Sequence, residues 1–460
     1  MHHLIIGGGP AATNCLETIR RFDADAAITL VSDEPAHSRM AIPYWLAGKI
    51  PEQQTHTADA AYFERFKVTA RLGVRVQSVD PKQRQVTLDG GEKIAFDRLL
   101  IATGSSPVMP PIPGLDLPGV QPLWNLRHVS SVLAYTRNIP QPRVVFVGAG
   151  FIGFIVLGAM FKRGWRLTVV EREAHVLPRM LDSAAAAHVS RWLATQKIPV
   201  HSNTSVKGIT AAADGTKLVE LTSGERLEAD VVIVATGIKS NLELLTGSGI
   251  VVDQGVVVND RMQTGYPHVY AAGDIAQGPV IGTSRHAVHP IQTTAVDHGR
   301  VAGANMAGHE VHYPGSLLMN VVDVCGLQAA SYGDFQRTDV ETIVIDSPSN
   351  HVYRKLLIHG ERIVGATFTG KANDLGMLTD LGMVKGFIQT QTDLGEWLGY
   401  LRENPFDIRR AYIGCGVAQK LTPFMLIGRP SQPRDYHFGD AKPGPLKSTS
   451  HKLFVQTKNG

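Results

Sequence analysis

A glycine-rich turn a third of the way along the 460-residue chain constrains the fold more than any other feature. Residues 144–147 are β-branched or aromatic, which predicts a short buried strand, and the spacing Gly148-x-Gly150-x-x-Gly153 follows at once. The first glycine permits a tight turn, the second lets the backbone approach a pyrophosphate, and the third lets a helix pack on the strand. A predicted helix over 151–162 would hold phosphates at its N-terminus. The segment therefore predicts a dinucleotide-binding unit.

An acidic residue stands where such a unit needs one. A second predicted strand, 166–170, ends at Glu171, which follows Gly148 by 171 − 148 = 23 residues. The expected spacing is roughly 20 residues for a carboxylate that binds a ribose 2′-hydroxyl. Strand, glycines, helix and acid in this order favour nucleotide binding over a glycine-rich turn in some other βαβ unit.

The N-terminus repeats the pattern. A predicted strand at Leu4–Ile6 is followed by a G-x-G-x-x-A sequence over residues 7–12, a predicted helix from Pro10 to about residue 21, and a strand that ends before Asp33. Two such motifs in one chain predict two bound dinucleotides, or one dinucleotide and a second ligand that resembles a mononucleotide.

Composition excludes several classes of protein. Hydrophobic residues make up 43% and charged residues 19%, as in soluble globular proteins, and the net charge of +4 gives no indication of a nucleic-acid partner. The three cysteines lie far apart, without a C-x-x-C pair, which excludes a disulfide scaffold and favours a reducing compartment. The 18 histidines show no metal-ligand spacing. No apolar run is long enough to span a membrane, and the first predicted strand, at Leu4, leaves no usual signal peptide. We therefore expect a cytoplasmic protein.

Three further motifs identify a family resemblance. Two predicted strands end in Ala-Thr-Gly, at residues 102–104 and 235–237, and a third ends in Gly273-Asp274. The order G-x-G-x-x-A, A-T-G, G-x-G-x-x-G, A-T-G, G-D resembles the flavoprotein superfamily that includes the pyridine nucleotide–disulfide oxidoreductases. The resemblance covers residues 1 to about 420. It is strongest to the branch of rubredoxin reductases and the flavin-binding part of nitrite reductase, through motifs such as Asn404-Pro-Phe-Asp-Ile.

The resemblance implies an α/β fold with two Rossmann-like dinucleotide-binding domains and a C-terminal α+β dimerisation domain. It assigns Gly7, Gly9, Asp33 and Asp274 to FAD, and Gly148, Gly150, Gly153 and Glu171 to NAD(P)H. NADPH is less favoured, because the Glu171 carboxylate would repel a 2′-phosphate. Nearby arginines weaken this preference, because their positive charge would attract the same phosphate. Further predicted cofactor-binding positions are Pro10, Ala11, Glu34, Arg39, Ala102, Thr103, Gly104, Ile152, Arg172, Gly237 and Gly273.

Domain boundaries follow from the same resemblance and from a proline-rich crossover over 106–118. We predict a discontinuous FAD-binding domain over 1–117 and 238–312 and an NAD(P)H-binding domain over 118–237. An interface domain over 313–425 would form a homodimer, and 426–460, rich in proline and charge, would be a flexible tail.

The chain departs from the family where redox groups are expected. Met40 stands where one group of relatives has a redox cysteine, and a thioether cannot form the thiolate that disulfide reduction needs. Relatives similar to ferredoxin reductases pair a lysine and a glutamate beside the flavin, and the aligned positions here are Tyr44 and Ile155. We predict that these two residues line the flavin, either in a site adapted to another donor or acceptor or merely as side chains of suitable size.

The leading hypothesis is an FAD-dependent oxidoreductase that takes hydride from NADH and passes electrons to a small molecule, a redox protein or a partner subunit, with no metal site. One alternative is a flavin-binding electron-transfer subunit of a larger complex that does not turn over nicotinamide. A second is an amine or amino-acid dehydrogenase on the same frame.

Overall fold

The computed structural model describes residues 1–421. The predicted tail (426–460) and the last residues of the predicted interface domain (422–425) lie outside this range. The first part of the chain forms eight strands and three helices: β1 His2–Ile6, α1 Pro10–Phe22, β2 Ala27–Ser32, α2 Ile42–Leu46, α3 Ala60–Arg65, β3 Val68–Leu72, β4 Val76–Asp80, β5 Gln85–Leu88, β6 Lys93–Ala95, β7 Arg98–Ile101 and β8 Ser105–Pro107.

The middle of the chain repeats this plan. Its elements are β9 Val120–Gln121, α4 Leu126–Tyr135, β10 Arg143–Val147, α5 Phe151–Phe161, β11 Arg166–Val170, α6 Ser183–Thr195, β12 Val200–His201, β13 Val206–Ala211, β14 Lys217–Leu221, β15 Arg226–Ala229 and β16 Val231–Val234. The return segment follows, with β17 Ile238–Ser240, β18 Val256–Val257, β19 Val269–Ala271, β20 Ala276–Pro279, β21 His286–Val288 and α7 Gln292–Met306.

The first sheet has five parallel strands in the order β19-β7-β1-β2-β3. Its edge strand β19 comes from the return segment, after the middle part of the chain. The sheet thus combines strands from two separate parts of the chain. Its central strands read as continuous apolar runs, as expected of a sheet covered on both faces. Helix α1 packs against α7 so closely that a Cβ on Gly299 would lie 2.3 Å from the Ala11 carbonyl oxygen.

The second sheet is also parallel and has the order β12-β11-β10-β16-β9. The central strand β10 is fully apolar after Arg143, and the following helix α5 is almost wholly buried. The predicted helices over 10–21 and 151–162 are confirmed to within one residue. The first strand begins at His2 rather than Leu4, because His2 and His3 continue the pairing with β2.

The last described part is an antiparallel sheet covered by helices. Its elements are β22 Met319–Val324, β23 Leu327–Gly333, β24 Glu341–Ser347, β25 Val352–His359, β26 Arg362–Lys371, α8 Leu375–Thr390, α9 Trp397–Glu403, α10 Ile408–Gly414 and α11 Val417–Lys420. The strand order is β22-β23-β26-β25-β24, and β22 is an edge strand. The predicted fold class, two Rossmann-like units and a C-terminal α+β unit, is confirmed, whereas the boundaries at residues 117, 237 and 312 remain predictions.

Candidate functional site

A cavity of about 790 Å³ opens at the carboxyl ends of β1, β2 and β7, where ligands of open α/β sheets bind. Its size lies within the roughly 300–1,000 Å³ that is usual for cofactor sites. Helix α1, the start of α5, the start of α7 and the edge strand β22 complete its walls. The predicted cofactor residues that line it are Gly7, Gly9, Pro10, Ala11, Asp33, Glu34, Arg39, Ala102, Thr103, Gly104, Ile152, Gly273 and Asp274.

The first glycine loop contains glycines of two kinds. Gly7 has φ +113°, and a Cβ there would lie 2.2 Å from the Ala102 carbonyl oxygen, so the fold itself requires glycine. Gly9 has an ordinary extended conformation, φ −79°, and a Cβ there would meet no protein atom within 4 Å. Nothing within the protein therefore requires a glycine at position 9. The open space leaves room for a ligand that approaches the backbone closely, such as a pyrophosphate at the start of α1.

The second loop has the same arrangement. A Cβ on Gly148 would lie 2.5 Å from the Ala235 carbonyl oxygen, and one on Gly153 would lie 3.1 Å from the Gly148 carbonyl oxygen. Gly150 again has an extended backbone, φ −82°, and open space around its Cβ position. Both loops therefore fit a dinucleotide: the outer glycines serve the fold and the middle glycine leaves room for a ligand.

Glu171 lies directly after β11, as predicted, and is buried. One carboxylate oxygen accepts a hydrogen bond from the Ala149 N–H within the glycine loop (2.7 Å), and the other accepts one from the Glu173 N–H (2.9 Å). A carboxylate has about four acceptor sites, so the group can still accept from a ribose. The loop and the acid thus form one hydrogen-bonded unit.

The matching position in the first loop is not acidic. The Gly7 N–H donates to the Val31 carbonyl as the Gly148 N–H donates to the Val170 carbonyl, which makes Ser32 the counterpart of Glu171. Asp33 lines the cavity, but its carboxylate is 2.6 Å from the Arg75 guanidinium at the surface. The ribose role that the resemblance assigned to Asp33 therefore has no support from register. Glu34, the next acid, instead accepts from the Asn125 amide (3.0 Å).

Asp274 belongs to a polar cluster on the cavity wall. Its carboxylate accepts a hydrogen bond from the Ser105 hydroxyl (2.7 Å), and the Arg39 guanidinium lies 3.9 Å away. Arg39 also stacks over the Trp124 ring at 4.6 Å, and the Trp124 indole N–H donates to the Ser105 carbonyl (2.8 Å). The cluster holds a carboxylate at the cavity with its partners already in place.

The opposite wall is apolar. Met40, Ile42 and Pro43 line it together with the α5 residues Phe151 and Ile155, and α2 packs against α5. Ile155 thus lines the cavity, and its predicted place beside the flavin remains a prediction.

Tyr44 lies outside the cavity lining, and its predicted place beside the flavin remains a prediction. The Tyr44 side chain is 58% exposed, and Tyr44 is absent from the cavity lining, because the short helix α2 presents Pro43 to the cavity instead.

The remaining predicted nucleotide residues surround the second loop rather than this cavity. Gly148, Gly150 and Gly153 form that loop and Glu171 is hydrogen-bonded to it, while Gly237, with φ +125°, directly precedes β17. Arg172 is exposed, and its guanidinium lies 2.8 Å from the Glu173 carboxylate. The cavity reaches this unit through Phe151 and Ile152 at the start of α5.

Sequence reasoning missed several cavity residues that no motif marks. Trp124, Asn125 and His128 come from the region of α4, and burial lowers the pKa of His128. The start of α7 contributes Gln292 and Thr293, and β22 contributes Met319 and Asn320. Asn125 is the N-cap of α4, and an N-cap residue indicates only where a helix begins, not that its side chain lies at a cavity.

No cysteine of the described chain lines the cavity. Cys15 is buried beneath α7, and burial raises its pKa; burial also raises the pKa of Cys325 to about 12 and raises that of Cys415. Within residues 1–421 there is also no cluster of histidine, cysteine or acidic side chains that could hold a metal ion. None of the helices described is both long and apolar enough to cross a bilayer.

Comparison with known proteins gives the site its context. Residues 1–299 match the family described as pyridine nucleotide-disulphide oxidoreductase, and residues 319–381 match the rubredoxin NAD+ reductase C-terminal domain. The chain is 32% identical over 335 residues to the NADH-dependent phenylglyoxylate dehydrogenase subunit epsilon of Aromatoleum evansii, covering 72% of this chain and 79% of that one. It is 34% identical over 324 residues to the NADH oxidase of Methanocaldococcus jannaschii, covering 68% and 71%. Among solved structures, the NAD-dependent persulfide reductase from A. fulgidus aligns with a TM-score of 0.78 and 27% identity, covering 85% of this chain and 78% of that one.

Proposed function

The chain belongs to the pyridine nucleotide-disulphide oxidoreductase family, and from that premise we propose that it is an FAD-dependent NADH oxidoreductase that works without a redox thiol. The observation that carries the proposal is the pair of middle glycines, Gly9 and Gly150, each of which leaves space that no protein atom fills. Each lies in a loop of its own Rossmann-like unit, and one cavity extends between the units. Two dinucleotides bound in these loops would have their reactive ends in the same cavity.

The chain's own residues supply binding, orientation and polarity. When bound, FAD supplies the ring system that accepts a hydride from NADH. Gly9 and the N-terminus of α1 would receive the phosphates of the first dinucleotide, and Asp274 would offer a carboxylate to its hydroxyl groups. Gly150 and Glu171 would do the same for the second. The apolar wall of Pro43, Phe151 and Ile155 excludes water and carries no acid or base, which suits hydride transfer because that step needs no proton.

NADH is the preferred donor. The Glu171 carboxylate would repel a 2′-phosphate, and the adjacent Arg172, which could attract one, is paired with Glu173. Glu171 and Glu173 thus both act against NADPH.

The acceptor is a redox protein, a partner subunit or a small molecule. A relative named as a subunit of an NADH-dependent dehydrogenase supports a subunit of a larger complex as a second candidate. The two candidates differ in one step, because only the first requires NADH to reduce the bound flavin in the isolated chain. Rapid mixing of anaerobic protein with NADH, followed by flavin absorbance, distinguishes them.

Electron flow without cysteine gives a sharp test. Met40 lines the cavity, and the thiols of Cys15, Cys325 and Cys415 are all outside it. We expect anaerobic titration to consume one two-electron equivalent per FAD, without a thiolate-to-flavin charge-transfer band. Changing all three cysteines to serine should leave NADH-to-dye turnover within about threefold, apart from a loss of stability where buried Cys15 gains an unpaired hydroxyl. Uptake of two such equivalents, or loss of turnover while FAD stays bound, would place a thiol in the mechanism.

We also propose a homodimer formed through residues from Pro314 to about Thr422. Large apolar side chains are exposed on this part, among them Leu375 at 76% and Ile413 at 67%. Light scattering at micromolar concentration should give twice the monomer mass for the wild type. Ile413→Glu should lower the measured mass to that of a single monomer. Val251→Glu is the matched control, since Val251 is 61% exposed but lies outside the proposed interface. A monomeric wild type would contradict the proposal.

The absence of paired cysteines in the described chain supports a reducing, cytoplasmic location.

A further inference from the structure

A buried histidine joins two walls of the cavity that come from distant parts of the chain. His289 lies between β21 and α7, and its side chain is almost inaccessible to solvent. One ring nitrogen, Nδ1, is 2.9 Å from the Thr294 hydroxyl in the first turn of α7. The other, Nε2, is 3.2 Å from both the main-chain nitrogen and the carbonyl oxygen of Met319.

The Met319 contact gives a hydrogen-bond partner to main-chain groups at the unpaired edge of β22. β22 pairs with β23 on one side only, so its outward main-chain groups need partners when they are buried. The Nε2 atom can accept from the Met319 N–H or donate to the Met319 carbonyl, depending on which nitrogen carries the proton. The Thr294 hydroxyl can serve as donor or acceptor in turn, so either neutral tautomer keeps both links.

Both ends of this link border the cavity. The residues that follow His289, from Pro290 to Thr293, line it, and so do Met319, Asn320 and Val321. The His289 carbonyl also accepts a hydrogen bond from the Ile291 N–H (2.9 Å), which fixes the turn into α7. A change in the His289 contact would therefore move two neighbouring parts of the wall relative to each other.

We propose that His289 is a positioning residue for the flavin site: it holds the start of α7 and the edge of β22 at the spacing that flavin binding requires. This inference rests on the proposed function, since it concerns the flavin cavity. Burial lowers the pKa of His289 to about 4, so the imidazole is neutral near pH 7 and the link does not depend on its charge.

Two substitutions separate the two hydrogen bonds. In His289→Gln the longer amide side chain reaches the position of Nε2 and can bond either main-chain group of Met319. In His289→Asn the amide reaches only the position of Nδ1 and keeps Thr294 alone. We expect His289→Asn to raise the dissociation constant of FAD at least tenfold and to shift the flavin absorbance maxima and reduction potential, whereas His289→Gln restores all three to near the wild-type values.

His298→Gln is the matched control. His298 is buried nearby, 3.5 Å from the Ser316 hydroxyl, but it lies one helix turn after Thr294 in α7, and its ring contacts Ser316 rather than the main chain of β22. Neither histidine is itself part of the cavity lining. We expect this variant to lower the melting temperature and leave FAD affinity, spectrum and potential unchanged. Equal loss of FAD affinity in His298→Gln and His289→Asn would overturn the proposal, because the effect would then be one of general stability. Unchanged flavin properties in His289→Asn would overturn it as well.

A second variant covers the case in which His289→Asn does not fold. Thr294→Val removes the hydroxyl and keeps a similar shape, so it lacks the same bond as His289→Gln and should likewise keep the FAD dissociation constant near the wild-type value. A tenfold loss of FAD affinity in Thr294→Val would count against the proposal, because the Met319 contact would then not be the one that matters. A wild-type protein that binds no FAD would instead contradict the proposed function itself, and with it this inference.

Discussion

Replacing Gly9 with alanine should give a folded protein that purifies without flavin, and replacing Gly150 with alanine should give a yellow protein that NADH no longer reduces efficiently. In both positions the backbone is extended and a Cβ would meet no protein atom within 4 Å, so the fold tolerates the methyl group. A ligand phosphate at the backbone does not. Forcing a methyl group into such a contact costs about 1–3 kcal/mol, or roughly fivefold to 150-fold in affinity.

The outer glycines provide the control. Alanine at Gly7 or Gly148 would place Cβ 2.2 or 2.5 Å from a carbonyl oxygen, at a positive φ in both cases. These variants should lose thermal stability whether or not a ligand is present. Flavin occupancy, NADH dissociation constants and melting curves of the ligand-free proteins measure the four effects. If Gly9→Ala keeps its flavin and Gly150→Ala keeps its NADH affinity, the open space beside these glycines is not where the phosphates bind.

The sequence predicted the parts of the site that local backbone geometry defines. Gly7 and Gly148 need a positive φ next to a strand end, and Gly9 and Gly150 follow at fixed offsets, so each loop is specified within about ten residues. The two parallel sheets follow for the same reason, since each strand and its helix carry their own apolar pattern. The acid after β2 is an instructive exception. Asp33 is acidic, as the motif requires, but it lies one residue after Ser32, which is the counterpart of Glu171. Only the hydrogen bond from Gly7 to Val31 reveals this offset.

The remaining part of the site depends on contacts between distant residues. His289 and Met319 are 30 positions apart, and nothing near either residue shows that one satisfies the main chain of the other. Trp124 is placed at the cavity by its stacking with Arg39, 85 positions earlier in the chain. Tyr44 shows the related difficulty that a short helix presents only some of its residues to a wall. Here Pro43 faces the cavity and Tyr44 faces solvent, and the sequence of five residues has too little periodicity to distinguish them.

Cofactor choice should depend on Glu171 and, more weakly, on Glu173. Glu171→Ala removes a charged acceptor from the ribose, and a hydrogen bond to a charged group contributes about 1.5–3 kcal/mol, so NADH affinity should fall roughly tenfold to 150-fold. The same change leaves the Ala149 and Glu173 N–H groups without their acceptor, which also lowers stability. Glu171→Gln keeps an acceptor for one of the two N–H groups and so separates the two effects: it should lose less thermal stability than Glu171→Ala while discrimination against NADPH still falls.

Glu173→Gln tests the second acid through Arg172. The Arg172–Glu173 pair is exposed, and exposed pairs contribute about 0–1 kcal/mol, so freeing the guanidinium should improve NADPH affinity by no more than roughly fivefold. The improvement in NADPH affinity should disappear when Arg172 is alanine, because no guanidinium would then be released by removing the Glu173 charge. Dissociation constants for NADH and NADPH in the four combinations of Arg172→Ala and Glu173→Gln measure this coupling. A wild-type protein that prefers NADPH would mean that the arginines, and not Glu171, determine which nucleotide binds.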